Sequence, residues 1–271
     1  MWAQGIALTG KGDYEGALAA YQEGLALAEK VGDANTIPRY LNSLGWLLSE
    51  CGDHDRALEL TGIAAEGARK WRHAVGVEIA AYCEINRGDM WLDKGDPILA
   101  QAFLDEASRV VGDPATHTWM KWRYAMHLSV SLGELWLARG NLARARECAE
   151  RCLDAATRTM SRKYLVRGWR LRGEIARAGR QWDESETALR EALTIARAIG
   201  NPTQLWRTHL ACGHLHAERK NPAEAGRAYR AAGKVADRIR SSLSNPRLRS
   251  SFEGSPRIRE VYDLSARYRG E

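Results

Sequence analysis

The stretch GDYEGALAAYQEGLALAEKVGD, residues 12–33, decides the fold of this chain. It opens with a glycine and an aspartate, which suit the end of one helix and the N-cap of the next. Small or medium residues then recur at Ala17, Tyr21 and Gly24, which is the i, i+4, i+7 spacing of one helix face. Small residues on that face let a second helix approach closely. The stretch therefore predicts a tight turn followed by a helix that packs against a neighbouring helix.

The same pattern recurs along the chain at nearly constant spacing. Six glycines in similar contexts, here called the marker glycines, are 40, 43, 45, 40 and 40 residues apart: Gly5, Gly45, Gly88, Gly133, Gly173 and Gly213. A corner glycine follows seven residues after each of the first four, at Gly12, Gly52, Gly95 and Gly140. In the fifth unit Gly179 falls one place earlier, and the sixth unit has Asn221-Pro222 instead. This regularity predicts an array of helix–turn–helix repeats.

The spacing divides the chain into six units and a tail. The predicted units are 1–33, 36–72, 75–113, 117–158, 161–200 and 202–240. Residues 241–271 break the pattern and are predicted to form a linker and a final helix. The apolar residues of this tail, among them Phe252 and Val261, are expected to cover the last repeat, because solenoids need caps at their ends.

Three of these stretches resemble the tetratricopeptide repeat, or TPR: KGDYEGALAAYQEGL (11–25), LNSLGWLL (41–48) and SLGELWLARG (131–140). The resemblance covers about residues 1–240. The period exceeds the standard of about 34 residues and is similar to the longer variant of bacterial signalling ATPases and maltose-activator-like transcription regulators. It implies an all-α, right-handed solenoid of about six helix pairs plus a C-terminal capping helix, and a role in binding.

Composition excludes several other classes of protein. Runs of β-branched residues are absent, which argues against a large sheet. No stretch approaches the roughly 18–20 apolar residues needed to cross a bilayer, and the N-terminus lacks the pattern of a signal peptide. The five cysteines are an odd number without framework spacing. We therefore expect reduced thiols in a cytoplasmic protein with no membrane partner.

Positive charge is concentrated in one part of the chain. The net charge is +6, and residues 158–207 carry eleven Arg or Lys against five Asp or Glu. This window would attract an acidic partner, or its arginines simply coat solvated helix faces. The candidates for a surface that stacks on bases are Trp169-Arg170 and Trp206-Arg207, and we disfavour nucleic acid as a partner.

The resemblance implies that the first helix of each unit lines a concave binding face. The residue after each marker glycine, and those about one turn either way, should point into it. The candidate binding residues are Arg39, Asn42, Trp46, Tyr82, Asp89, His127, Glu134, Arg167, Arg170, Glu174, Arg177, Arg207 and His214. Glu50, Asp93 and Glu218 belong to the same stripe.

The arginines of the fifth unit have two interpretations. Their planar forks suit carboxylates, so we hypothesise a groove in which Arg167, Arg170 and Arg177 bind the acidic end of a peptide. Alternatively, they pair with Glu174 and neighbouring carboxylates of the chain itself.

The sequence lacks the common motifs of catalysis and offers one candidate set of metal ligands. No phosphate loop, G-x-S-x-G, H-E-x-x-H or C-x-x-C occurs. His209, Cys212 and His216 share one helix face at a spacing that can ligate zinc. However, His216 stands where other units have a packing tryptophan, so polar packing is the favoured role. We expect no enzyme, metal or cofactor.

Two function hypotheses follow. The first is a protein- or peptide-binding scaffold, as the sensor or interaction segment of a larger bacterial regulator. The second is a domain that senses a small-molecule effector inside the solenoid. A closed, aromatic-lined pocket around Trp46, Tyr82 and Trp91 would favour the second, and an open groove the first. We also expect Trp2, Ile6 and Leu8 of the short first helix to contact an upstream domain or a second copy.

Overall fold

Paired helices build the whole described part of the chain. The computed structural model describes residues 1–71, 74–113 and 121–268, and no strand occurs among them. The twelve helices of the pairs are α1 (Trp2–Lys11), α2 (Tyr14–Lys30), α3 (Ile37–Glu50), α4 (His54–Arg69), α5 (Ala74–Asp93), α6 (Pro97–Gly112), α7 (Lys121–Ala138), α8 (Leu142–Arg158), α9 (Arg162–Ala178), α10 (Trp182–Ile199), α11 (Pro202–Glu218) and α12 (Pro222–Ser242). The predicted start of the fourth unit, at residue 117, lies outside the described residues.

The tail holds two helices where the sequence predicts a linker and one helix. These are α13 (Pro246–Gly254) and α14 (Pro256–Arg267), and each begins with a proline, which fits the first turn of a helix. Phe252 and Val261 are both buried, and α14 packs against α12. The tail therefore covers the last repeat, as expected.

The turn within each pair places one residue in the left-handed region. Gly12, with φ of 80°, is typical of the corner glycines. In the fifth unit Arg180 takes this conformation, with φ of 57°, while Gly179 has φ of −82°. The prediction that Gly179 replaces the corner glycine is thus wrong. The left-handed position stays seven residues after each marker glycine, and Lys220 fills it in the sixth unit.

Side chains after these corners begin the second helices. Asp13 accepts a hydrogen bond from the backbone N–H of Gly16, at 2.9 Å. Asp53, Asp96, Asn141 and Asn221 cap their helices in the same way. Each cap satisfies a backbone donor that would otherwise lack a partner in the first helical turn.

The marker glycines allow each pair of helices to approach closely. A Cβ atom on Gly5 would lie 2.3 Å from the Tyr21 ring, and one on Gly213 would lie 2.3 Å from the Tyr229 ring. The contacting residue is sixteen positions after the glycine in five of the six units. In the fourth unit that position is Ala149, and Leu171 of the next unit fills the space over Gly133. The predicted small-residue stripe is therefore the seam within each pair.

The first helices form an inner layer. Contacts run from α1 to α3, α5, α7, α9 and α11 in turn, and each second helix packs outside its own partner. This arrangement is an α-solenoid, as predicted.

The solenoid closes on itself after one turn. The Tyr14 hydroxyl lies 2.8 Å from Thr203 Oγ1, and Thr203 donates to Glu50 Oε2, also at 2.8 Å. Because the threonine proton goes to Glu50, Tyr14 donates to Thr203. This buried chain of hydrogen bonds joins the first unit to the second and sixth.

The tail completes this closure from outside. The carboxylate of Glu15 accepts hydrogen bonds from the Ser244 hydroxyl and from the backbone N–H of Asn245. Gly52 packs against Ser255 with no space left for a side chain. The first and second units therefore both lie against the tail.

The N-terminal apolar residues pack partly against the chain itself. The Trp2 indole N–H donates to Ser43 Oγ at 2.9 Å, and Ile6 and Leu8 pack against the largest core cluster. All three side chains are half-buried. No helix of the described residues combines the length and hydropathy that a membrane span requires.

His209 makes acid stability testable. Burial, and secondarily Arg197, lowers the pKa of His209 to about 4. The unfolded chain takes up a proton below about pH 6.5, whereas the folded chain resists it. Full stability is thus present above pH 6.5 and is lost as the pH falls toward 4. Between pH 7.5 and 4.5, we expect His209→Gln to lose up to about 3 kcal/mol less stability than the wild type. Thermal denaturation of both proteins at the two pH values would measure this. An unchanged pH dependence in the variant would contradict this.

Candidate functional site

A cavity that is open to solvent lies within the closed turn. The first helices of all six units contribute to its wall. Ten of the thirteen candidate residues line it: Arg39, Asn42, Trp46, Tyr82, Asp89, His127, Glu134, Arg167, Arg170 and Arg207. Six consecutive first helices therefore bring residues from positions 2 to 207 to one space.

Three of the candidate residues do not line this cavity. Arg177 pairs with Glu218 near the ends of their helices. His214 lies 3.2 Å from Glu260 of α14, because the tail covers this end of the sixth unit. Glu174 is half-buried and does not line the cavity. Trp91 likewise packs in a separate core cluster, while Trp2 contributes to the cavity wall.

The arginines of the fifth and sixth units are paired internally. Arg167 lies 3.6 Å from Asp89 and 3.8 Å from Glu134. Arg170 donates to Gln204 at 2.8 Å. The chain thus supplies acceptors for these arginines from the third, fourth and sixth units, and the charge of Glu174 also acts on Arg170.

A second carboxylate binds two arginines at once. Asp93, at the end of α5, lies 3.2 Å from Arg207 and 2.5 Å from Arg257 of α14. These ion pairs therefore connect the third unit, the sixth unit and the tail at the cavity wall.

Asp89 and His127 form a hydrogen-bonded pair in the wall, with 2.7 Å between Oδ2 and Nε2. Burial lowers the pKa of His127, so the neutral ring donates its Nε2 proton to the carboxylate. Burial alone would raise the pKa of Asp89, but His127 and Arg167 together lower it below its usual range. Asp89 is therefore ionised at neutral pH.

Besides Arg170, which donates to the Gln204 amide oxygen, three cations at the cavity have no carboxylate at ion-pairing distance among residues 1–71, 74–113 and 121–268. They are Arg39, Arg123 and Lys163. Each lies over an aromatic ring: Arg39 at 4.9 Å from the Trp2 centroid, Arg123 at 5.6 Å from Tyr82, and Lys163 at 4.7 Å from Trp46. We call this set the stacked cations.

Sequence reasoning missed Arg123 and Lys163. Both lie ten residues before a marker glycine, one helical turn beyond the stripe that the sequence assigned to the concave face. The same register gives Glu78 and Thr203. Extending the predicted stripe by one turn would have found all four, because i and i+4 share a helix face.

Several polar atoms at the cavity are buried without a hydrogen-bond partner. They are Glu78 Oε2, the Tyr82 hydroxyl, Asp89 Oδ1 and Arg207 Nε. An unsatisfied buried polar group costs roughly 1–3 kcal/mol, so such atoms mark places where water or a ligand binds. The described residues show no cluster of three or more His, Cys, Asp or Glu suited to a metal ion.

Comparison with known proteins supports the fold. No family model matches the chain, and no curated protein matches it in sequence. BtubC (BKLC) from P. vanneervenii is similar in structure, with a TM-score of 0.59 and 15% identity over 86% of this chain and 94% of that one. A STAND protein with a tetratricopeptide repeat sensor, PH0952 from Pyrococcus horikoshii, has a TM-score of 0.54 and 14% identity. That match covers 94% of this chain and 38% of the larger protein. A tetratricopeptide repeat protein from Parabacteroides merdae aligns over 97% of this chain and 96% of its own, with a TM-score of 0.49 and 15% identity.

The chain is thus a helical repeat protein with a central cavity. By fold it is a TPR-type solenoid.

Proposed function

We propose that this chain is a non-catalytic, ligand-sensing TPR domain that binds a small molecule inside its closed turn. The observation that carries the proposal is the central cavity, whose wall comes from all six units and holds polar atoms without partners. Concave sites lined by aromatic side chains and a few convergent polar groups are the usual form of small-molecule sites.

Closure favours a small molecule over an extended peptide. The hydrogen bonds from Tyr14 through Thr203 to Glu50 join the two ends of the array, so the inner surface surrounds the cavity instead of forming an open trough. Trp46, Tyr82 and Trp2 supply flat apolar area within it. The stacked cations favour an anionic group in the ligand.

A sensor role in a larger regulator is the setting we propose. The similar STAND protein is described as carrying a tetratricopeptide repeat sensor, and this chain matches a part of that protein in fold. A ligand that binds across several units would stabilise one superhelical arrangement, and a neighbouring domain would respond to that change.

Binding is tested by thermal denaturation with a library of small metabolites. At a concentration of about 100 Kd, a ligand adds roughly 2.7 kcal/mol, which is about 5–11 °C in Tm for a chain of this size. Asn42→Trp, which fills the cavity from α3, should abolish the shift. Glu59→Trp, on the exposed side of α4, is the matched control and should leave it intact.

Two results would contradict the proposal. One is a ligand that stabilises Asn42→Trp as strongly as the wild type, because it must bind elsewhere. The other is that only long peptides or whole proteins bind, which would support the hypothesis of a protein-binding scaffold instead.

A further inference from the structure

We propose that the ligand is a zwitterion of the amino-acid or short-peptide type. Its carboxylate would bind the stacked cations, Arg39, Arg123 and Lys163, and its ammonium would bind Glu78 beside Tyr82. This inference rests on the proposed function and narrows it from any small molecule to one with both charges.

The stacked cations are arranged to bind an anion. A guanidinium lying over a ring is held through its face, which leaves the N–H donors at its edge free for a carboxylate. Trp2 lies under both arginines, with centroid distances of 4.9 Å to Arg39 and 5.9 Å to Arg123. Both arginines therefore sit at one place in the cavity. Lys163 adds a third charge from α9, over the Trp46 ring.

Glu78 supplies the opposite charge next to this cluster. Its side chain is only 2% exposed, and Oε2 has no hydrogen-bond partner. Burial raises the pKa of Glu78, while the charges of Arg39 and Arg123 oppose the rise. Neither arginine lies at ion-pairing distance, so the carboxylate and the arginines face the same space without neutralising one another.

Tyr82 lies next to both charged parts of the site, the stacked cations and Glu78. It lies four residues after Glu78 on α5, so the two side chains share a face. Its ring lies under Arg123 at 5.6 Å, and its buried hydroxyl has no partner. An ammonium with three donors would satisfy both Glu78 Oε2 and this hydroxyl. Because Glu78 and the stacked cations are close together, the site suits a ligand whose ammonium and carboxylate are also close together.

Ligand chemistry provides the first test. Isothermal titration calorimetry would compare the twenty amino acids and a set of dipeptides with their N-acetyl and C-terminal amide forms. We expect at least one zwitterion to bind and to lose tenfold or more in affinity on either modification. Binding by dipeptides alone would identify peptide termini as the source, and binding by amino acids alone would identify free amino acids.

Variants provide the second test. Arg123→Gln and Glu78→Gln should each weaken zwitterion binding by roughly 10–100-fold, since each leaves a ligand charge unpaired. Arg190→Gln, at an exposed site on outer helix α10, is the control and should have no effect. Glu78→Gln should leave the weak binding of the N-acetyl form unchanged, because that form lacks the ammonium. Thermal melts without ligand would show that each variant is folded.

Lys163 predicts how binding depends on pH. Burial lowers the pKa of Lys163 to about 8. Glu50 and Asp89 oppose this shift, and Arg167 and Arg123 add to it. The group is therefore charged at pH 7 and keeps only about a tenth of its charge at pH 9. Affinity for N-acetyl amino acids, which do not titrate in this range, should fall by up to about tenfold between pH 7 and 9. Lys163→Arg should remove this dependence, because a guanidinium stays protonated.

Clear outcomes would overturn the inference. Equal affinity for a zwitterion and its amide would show that the stacked cations do not bind the carboxylate, and equal affinity for its N-acetyl form would exclude Glu78. If metabolites without both charges bind in the cavity and zwitterions do not, the inference fails while the proposed function stands. If no small molecule binds, both fail.

Discussion

Replacing Asp89 by alanine is expected to destabilise the fold by about 3–5 kcal/mol, or roughly 6–20 °C in Tm. Asp89 accepts a hydrogen bond from His127 and lies 3.6 Å from Arg167, whose side chain is 9% exposed. Removing the carboxylate leaves Arg167 with only Glu134, at 3.8 Å, and removes the acceptor of His127. A buried charge that loses its partner accounts for most of the cost.

Asp89→Asn separates charge from hydrogen bonding. It keeps an oxygen acceptor for His127 and the same volume, so we expect a loss smaller than that of Asp89→Ala. Circular dichroism melts and urea titrations at neutral pH would rank the three proteins. A loss below about 1 kcal/mol for Asp89→Ala would show that the pair is screened like a surface ion pair.

The difference in stability between the wild type and Asp89→Asn should change with pH in a defined direction. The pKa of Asp89 is lowered in the folded chain. Its charge therefore contributes stability above the unfolded value of about 3.9, and that contribution is lost as the pH falls through the folded value. The gap between the wild type and Asp89→Asn should be constant from pH 7 to about pH 5 and should narrow only in stronger acid.

Tyr229→Ala is expected to cost about 3–5 kcal/mol, because this ring fills the sixth helix pair. Tyr229 is 2% exposed, packs directly over Gly213, and lies with its centroid 5.2 Å from that of Tyr268 in the tail. Its removal leaves a cavity under α14 and loosens the cap on the array. Protection from hydrogen exchange should fall first in α12 and α14, with the inner helices of the second and third units little affected.

A double-mutant cycle tests the close approach itself. Gly213→Ala alone should destabilise by roughly 1–3 kcal/mol, because its Cβ would lie 2.3 Å from the Tyr229 ring. In the Tyr229→Ala background the same change should cost much less. Additive effects in the cycle would mean that the ring and the glycine do not restrict one another, contrary to the geometry.

Most of the fold could be predicted because its signals are local. The corner positions, the caps at Asp13 and Asp53 and the small residues opposite the marker glycines each act within one helix pair. The error at Gly179 has the same origin. Glycine is the usual residue at positive φ, but the i+7 register is set by the helix ends, and Arg180 occupies it at a modest energetic cost.

The candidate site was predictable only in part. Helical periodicity placed residues such as Trp46, Asp89 and Arg167 at the cavity. The helix N-termini, which carry Arg123 and Lys163, were not assigned to it, since the extent of a helix facing the interior depends on how tightly the superhelix coils. Arg177 and His214 do not line the cavity, and their side chains pair with Glu218 and Glu260.

The sequence by itself therefore determined the repeat, its turns and the seam within each helix pair, since these depend on contacts between residues close in the chain. Only the tertiary structure decided that Tyr14 meets Thr203, that the fifth-unit arginines are internally paired, and that Arg39, Arg123 and Lys163 are the cations left to face the cavity. Those contacts arise from small rotations between successive units, which add up around the turn. The total rotation cannot be predicted from the sequence pattern of any single unit.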